Sequence, residues 1–275
     1  MRASKLTPMG DRVRCVLSIA GSDSGGAAGI QADLKAFAAA GVHGMTAVTA
    51  ITAQNTVAIT GVHPIPPEMI VAQVRAVADD IGVDAVKIGM VGTAAAIVAV
   101  AQALDELAPG TPVVLDPVMV SESGGQLLEP SARSALVEHL FPRATVVTPN
   151  LHEARTLVGR DPYEAAPGED VAELARDIKM LGPAVVVITG GHRERAVDVF
   201  YDGSQLVEIP GERYPDGAAH GSGCTHSSTL AARLARGDTP LEAARTAKRR
   251  ASQAVRDGLA DLGAGPGPVD VLGVT

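Results

Sequence analysis

"DAVKIGMVGTAAAIVAVAQALDELAPGTPVVLDPVM", residues 84–119, sets two short apolar runs on either side of an alanine-rich stretch of helical length. The runs, 84–90 and 112–119, are rich in Val and Ile and do not alternate with polar residues, the mark of strands buried on both faces. A strand, a helix over 93–108 and a second strand of this kind form a right-handed crossover and hence a parallel pair. The unit recurs in both directions. "VRCVLSIAG" (13–21) precedes a helix over 29–41, where Ile30, Leu34 and Phe37 fall at i, i+4 and i+7. "MTAVTAITA" (45–53) precedes a helix over 67–81, with Pro67 in its first turn. "ATVVTPN" (144–150) and "PAVVVITGG" (183–191) add strands, with helices expected over 130–140, 151–158 and 169–181. "AVDVFYDGSQLVEIP" (196–210) breaks the rhythm, because Asp202-Gly203 between two strand-like runs is a hairpin signal. Helices return over 222–236 and 240–257. The expectation is one three-layer α/β domain over 13–275, with a mainly parallel sheet, after a flexible extension over 1–12.

The bulk composition agrees. Of 275 residues, 46% are apolar but only 2% aromatic, with no Trp, so the core is built of Ala, Val, Leu and Ile. The formal charge is -8, and the basic residues are dispersed apart from Lys248, Arg249 and Arg250, which argues against a nucleic-acid partner. Two cysteines make no disulfide framework, so a reducing compartment is expected. The polar N-terminus lacks the core of a signal peptide, and no apolar run reaches membrane length. A cytoplasmic protein without a membrane partner is the expectation.

Ligands of such sheets bind at the carboxyl ends of the strands. Here those ends carry the unusual residues, predicting one cleft lined by Gly21, Asp23, Gln54, Lys87, Asp116, Asn150, Glu153 and Gly191. "HGSGCTHSS" (220–228) opens a helix with two glycines and a cysteine. A helix start leaves backbone N–H groups unpaired at its positive end, and glycines bare them to an anion. A thiolate at Cys224 would be stabilised by the same donors, its pKa falling below ~8.5, so it could act as base or nucleophile; otherwise it is a small buried residue. Cys15, inside a strand, is read as core. A nucleophilic thiol needs a partnered histidine, and His226, two positions along the helix, is read as a surface residue, so the base role fits better. Asp116 and Glu153 follow separate strands, and their hard oxygens suit Mg²⁺. The seven histidines are too dispersed for zinc; His192 and His220 are read as loop residues. There is no Walker motif.

Taken in order, these residues resemble the hydroxymethylpyrimidine/phosphomethylpyrimidine kinase family of the ribokinase-like superfamily. "AGSDSGGAAGIQADLKAF", "TAITAQNT", "VKIGMVG", "VVLDPVM", "TPNLHEA", "TGGH", "HGSGCT" and "GPGPVD" carry the resemblance, which runs over about residues 14–270. It implies a ribokinase-like α/β/α sandwich and ATP-dependent phosphorylation of 4-amino-5-hydroxymethyl-2-methylpyrimidine. The monophosphate is then taken to the diphosphate, in thiamin biosynthesis, with ATP and Mg²⁺ as cofactors and a homodimer as the assembly. By resemblance Gln54 reads the pyrimidine amino group and ring nitrogen, Gly21 and Asp33 shape that pocket, and Met90 packs near the ring. Gly221, Ser222, Gly223 and Cys224 form the anion hole, with Cys224 as the base. Asn150 and Glu153 organise the metal and phosphates, Asp116 joins them, and Thr189, Gly191 and Lys248 lie on the nucleotide side. For Lys248 a solvated helix face is the alternative; for Gln54, a loop residue capping a strand end.

The chain departs from the family pattern at Gly217, Ala218 and Ala219 before the anion hole, at Thr189 where Lys is common, at His226, and at Ala264. These departures leave the pyrimidine pocket untouched and bear on the nucleotide contacts and on the efficiency of the second phosphorylation. A pyridoxal kinase of the same superfamily is the alternative reading. A cysteine hydrolase and a non-catalytic sensor are weaker ones.

Overall fold

A computed structural model describes residues 12–120, 127–129, 131–164, 170–191, 196–215 and 217–274. The strands are β1 (Cys15–Asp23), β2 (His43–Gln54), β3 (Ile59–Pro64), β4 (Ala85–Ile88), β5 (Val113–Leu115), β6 (Val146–Val147), β7 (Val185–Ile188), β8 (Asp198–Tyr201) and β9 (Leu206–Ile209). The helices are α1 (Gly29–Ala39), α2 (Pro67–Asp80), α3 (Ala94–Asp105), α4 (Ala132–Ala135), α5 (Leu151–Leu157), α6 (Val171–Lys179), α7 (Ser222–Ala235) and α8 (Pro240–Arg256). Among the described residues the nine strands form one sheet in the order β3-β2-β1-β4-β5-β6-β7-β8-β9. Its centre is parallel from β2 to β7, while β3, β8 and β9 pair antiparallel at the edges.

Strand alternation divides the core between the two faces. Cys15, Leu17 and Ile19 of β1 and Val86 and Ile88 of β4 join Ile70 and Val74 of α2, Ile97 and Val100 of α3, and Leu174 and Ile178 of α6. Val16, Ala85, Val114 and Val146 point the other way, onto Phe37 of α1, Leu230, Ala231 and Leu234 of α7, and Ala243, Ala244 and Ala247 of α8. Each fully buried Val, Leu or Ile contributes ~1.5–3 kcal/mol, and alanine faces let α7 and α8 lie close to the sheet. Cys15 is core, as expected.

The sequence-based elements hold with instructive differences. The helix expected over 130–140 is α4, continued by a π-helical turn (Leu136–Leu140) and a 3₁₀ turn (Phe141–Arg143). β3 went unpredicted because its residues are exposed and pair only with β2. In α1 the buried stripe is Ala32, Asp33, Ala36 and Phe37, and Leu34 faces out, so a charged residue occupies a place the apolar count gave to leucine. The hairpin at Asp202-Gly203 joins β8 to β9, with the Asp202 carboxylate accepting from the N–H groups of Ser204 and Gln205. Of the expected extension over 1–12, only Arg12 lies among the described residues, and it pairs with Asp84. No helix among the described residues is long and apolar enough to cross a membrane.

Candidate functional site

The carboxyl ends of the parallel strands open into one cavity of about 430 Å³. All eight residues predicted to line a cleft do so, joined by Met90, Thr189, Lys248 and the Gly221–Cys224 turn.

At one end, β1 and β2 slip register between Ala20 and Ser22. Gly21 sits at that bulge, where a Cβ would stand 2.3 Å from Met90 Cε, so the two close the floor together. Thr49 Oγ1 donates to the Met90 carbonyl at 2.6 Å and fixes that backbone. Gln54 ends β2 with its main chain pinned: its N–H donates to Ser24 Oγ (2.8 Å), whose hydroxyl donates to the Gln54 carbonyl (2.7 Å). Thr52 Oγ1 lies 2.8 Å from the Ser22 carbonyl and 3.1 Å from Gln54 Oε1. Asp23 is occupied structurally, accepting from the N–H groups of Gly25, Ala27 and Ala28.

Asp33 was expected to shape this pocket and does not line it. It lies beneath, fully buried, where Lys87 Nζ (2.8 Å) and Ser228 Oγ (2.7 Å) donate to Oδ1 and Ser18 Oγ (2.6 Å) donates to Oδ2. The cause is helical phase: Asp33 shares the inward stripe of α1 with Ala32, Ala36 and Phe37. Burial is the largest influence on Lys87 and would lower its pKa, but the charge and hydrogen bond of Asp33 together with the other negative groups around it outweigh burial, and Lys87 stays charged. A fixed cation thus reaches the cavity wall from below.

The middle of the cavity is the start of α7. Gly221 caps it with φ +85°, and a Cβ there would fall 1.8 Å from the Ala27 carbonyl oxygen, so only glycine fits. The Ser222 N–H donates to the Ala219 carbonyl and the Thr225 N–H to Gly221, which leaves Gly223 and Cys224 as first-turn amides without an intrahelical partner. Gly223 keeps the approach open, its nearest neighbour to a built Cβ being Asp116 Oδ2 at 4.0 Å. Cys224 corrects the expectation of a lowered pKa. Burial pushes the thiol up to about 12; Lys87 and the Gly29 N–H pull it down, while Asp33 and Asp116 push it further up. In the free protein it is a thiol, because a sulfur taken out of water beside carboxylates loses more than Lys87 and the Gly29 N–H return.

Beyond lies a carboxylate pair. Asn150 and Glu153 form a capping box at α5: the Glu153 N–H donates to Asn150 Oδ1 and the Asn150 N–H to Glu153 Oε2, both at 2.9 Å. Asp116 accepts from Ser227 Oγ at 3.0 Å. Burial, then the neighbouring Asp116, raises Glu153 to about 8, and burial raises Asp116 as well, despite Lys87. Two buried carboxyls that resist ionisation together are a donor set that a divalent cation would relieve. Among the described residues no group of three His, Cys, Asp or Glu could hold a metal alone. Two carboxylates completed by substrate phosphates are what Mg²⁺ uses, so the residues fit it.

At the far end the structure overturns the surface reading of His226 and removes the solvated-face alternative for Lys248. His226 is not on the surface but 4% exposed, with Nε2 3.2 Å from Asp198 Oδ2. Lys248 is not a solvated face but buried, donating to Asp198 Oδ1 at 2.6 Å. Asp198 Oδ1 also accepts the Gly190 N–H (2.8 Å), so this carboxylate ties α7, α8 and the Thr189–Gly191 turn. Burial would raise its pKa, but His226 and Lys248 together hold it low. Sequence reading passed over Asp198, although one aspartate inside "AVDVF" is a signal for a buried, partnered charge. His220, read as a loop residue, is buried 4.0 Å from Asp23; His192 lies outside the described residues.

The family profile described as phosphomethylpyrimidine kinase matches residues 23–270. The hydroxymethylpyrimidine/phosphomethylpyrimidine kinase of Rhizobium meliloti is 47% identical over 260 residues, 92% of this chain and 95% of that protein. Among solved structures, the pyridoxal kinase of Staphylococcus aureus in complex with AMP-PCP and pyridoxal superposes with a TM-score of 0.86 at 34% identity, covering 96% of this chain and 95% of that one. The ADP complex of Bacillus subtilis pyridoxal kinase superposes with 0.84 at 42% identity, covering 94% and 97%. The fold is the ribokinase-like α/β sandwich, and the enzyme is a kinase. The chain belongs to the phosphomethylpyrimidine kinase family.

Proposed function

We propose that the enzyme transfers phosphoryl groups from ATP to 4-amino-5-hydroxymethyl-2-methylpyrimidine and then to its monophosphate, yielding the diphosphate used in thiamin biosynthesis. One observation carries this reading: a single cavity holds Gln54 at one end, the bare start of α7 in the middle and the Asp116–Glu153 pair beyond. An amide with donor and acceptor side by side suits an aminopyrimidine edge. Gly21 and Met90 would take the ring, placing the hydroxymethyl group towards Cys224. As the alcohol attacks phosphorus it must lose its proton, and Cys224 in its thiolate form is the acceptor. The Gly223 and Cys224 amides meet the negative charge of the transferring phosphoryl, assisted from below by Lys87. Asp116, Glu153 and Asn150 would hold Mg²⁺, which neutralises phosphate charge when bound. Thr189, Gly191 and Lys248 stand on the nucleotide side, with Asp198 and His226 holding them.

Pyridoxal is the second reading, favoured by superposition on pyridoxal kinases at 34–42% identity. A homodimer in the cytoplasm suits either, and the β2–β3 ribbon exposes Ile51, Val57 and Val62 for a second copy. Incubation with ATP, Mg²⁺ and each alcohol, followed by mass spectrometry, decides between the readings. Pyrimidine mono- and diphosphate are expected; pyridoxal phosphate alone would establish the second reading.

A further inference from the structure

A glutamine amide can meet a heteroaromatic edge in two orientations, and the two select different ligands. Thr52 lies two residues before Gln54 on β2, 5% exposed, and both line the cavity. Its hydroxyl has one proton to give and two oxygens in reach, the Ser22 carbonyl at 2.8 Å and Gln54 Oε1 at 3.1 Å. The carbonyl is a pure acceptor and the nearer of the two, so the proton goes there. The lone pairs of Thr52 Oγ1 are then turned to the Gln54 amide, and only its NH₂ group would satisfy them, which requires the amide turned over from the placement that sets Oε1 there. Amide oxygen and nitrogen are alike in shape, so the surrounding network decides which stands where. With both main-chain groups of Gln54 tied to Ser24, the amide is the part left to turn.

We propose that Thr52 is a specificity-determining residue: by accepting from the Gln54 NH₂ group it holds the amide carbonyl outward, so that the site takes a ring bearing an exocyclic amino group beside an unprotonated ring nitrogen. The inference rests on the reading of Gln54 as the contact to the ring. The outward carbonyl accepts from the amino group, and the second amide hydrogen goes to the ring nitrogen. The 4-oxo analogue presents the reverse, a carbonyl and a ring N–H, and sets acceptor against acceptor. Turning the amide to suit it would set Gln54 Oε1 against the Thr52 lone pairs. Thr52 touches no reacting atom and acts through Gln54, so it is a positioning residue.

The test compares kcat/KM for 4-amino-5-hydroxymethyl-2-methylpyrimidine and its 4-oxo analogue in wild type, Thr52→Val and Thr52→Ser, at saturating Mg²⁺ and ATP. Wild type should prefer the amino ring by about a hundredfold or more, as sites built on paired polar groups do. Thr52→Val, equal in shape but without the hydroxyl, should lose at least about tenfold of that preference, chiefly through KM for the ring, with KM for ATP unchanged. Thr52→Ser should restore it. A Thr52→Val enzyme that melts like wild type and keeps the preference within about twofold overturns the proposal. Wild type decides even if Thr52→Val does not fold: turnover of both rings with less than about tenfold preference shows an amide free to turn, and overturns it. Turnover of neither ring overturns the pyrimidine reading and this proposal with it.

Discussion

Cys224 and Lys87 show how burial changes what a residue can do. A thiol raised to about 12 is almost wholly protonated at neutral pH. If it is the base, the active fraction is the thiolate, which grows as pH rises towards that value. The expected result is a kcat for the pyrimidine that climbs about tenfold per unit between pH 7 and 9. A flat profile across that range in stopped assays would mean the proton leaves by another route. Lys87 and Asp33 are each fully buried and each other's only opposite charge within 4.0 Å among the described ion pairs. Lys87→Met strands a carboxylate in the core and should cost ~3–5 kcal/mol in chemical denaturation. The double variant with Asp33→Asn should regain much of that loss, because the stranded charge is gone. Equal stability of the two variants would contradict the pairing.

At the scale of elements, the start of α7 separates two glycines that look alike in "GSGC". Gly221→Ala faces both φ +85° and a backbone oxygen 1.8 Å away, and should lower stability by more than ~1 kcal/mol and abolish activity. Gly223→Ala meets nothing closer than 4.0 Å and should fold and melt as wild type, yet lose about tenfold or more in kcat by covering the bare amides. A loss of folding in Gly223→Ala, or a stable Gly221→Ala, would contradict this division. Elements were legible in the sequence where periodicity reported burial. Runs such as "VVLDPVM" are apolar because both faces are covered, and α8 opens on a Thr239–Glu242 capping box ahead of an inward face of alanines. β3 was not legible, since an exposed edge ribbon carries no such stripe. Nor were the partners of charges: Asp33, Asp198, His226 and Lys248 are polar residues on inward faces, and only tertiary packing says what they meet. The site's location followed from strand ends, whereas the direction of the Cys224 shift did not, because desolvation depends on the whole surround.

For the whole molecule, one cavity is lined by residues from β1 to α8, drawn from nearly every crossover of the sheet. A ligand that bridges them stabilises the native state by ~2.7 kcal/mol at a hundred times its Kd. Nucleotide with Mg²⁺ should therefore raise Tm by roughly 5 °C or more in a thermal-shift measurement, and a second increment should follow when the pyrimidine is added. No shift with either ligand would contradict a shared cavity. The central claim, that the start of α7 is the place of phosphoryl transfer and Cys224 takes the proton, is tested most directly by Cys224→Ala. The measurement is kcat for pyrimidine monophosphate formation alongside the Kd for ATP by calorimetry. The account predicts a fall in kcat of ~10²–10⁴-fold with ATP affinity kept within about twofold. A variant that keeps kcat within about threefold would contradict it and place the base elsewhere.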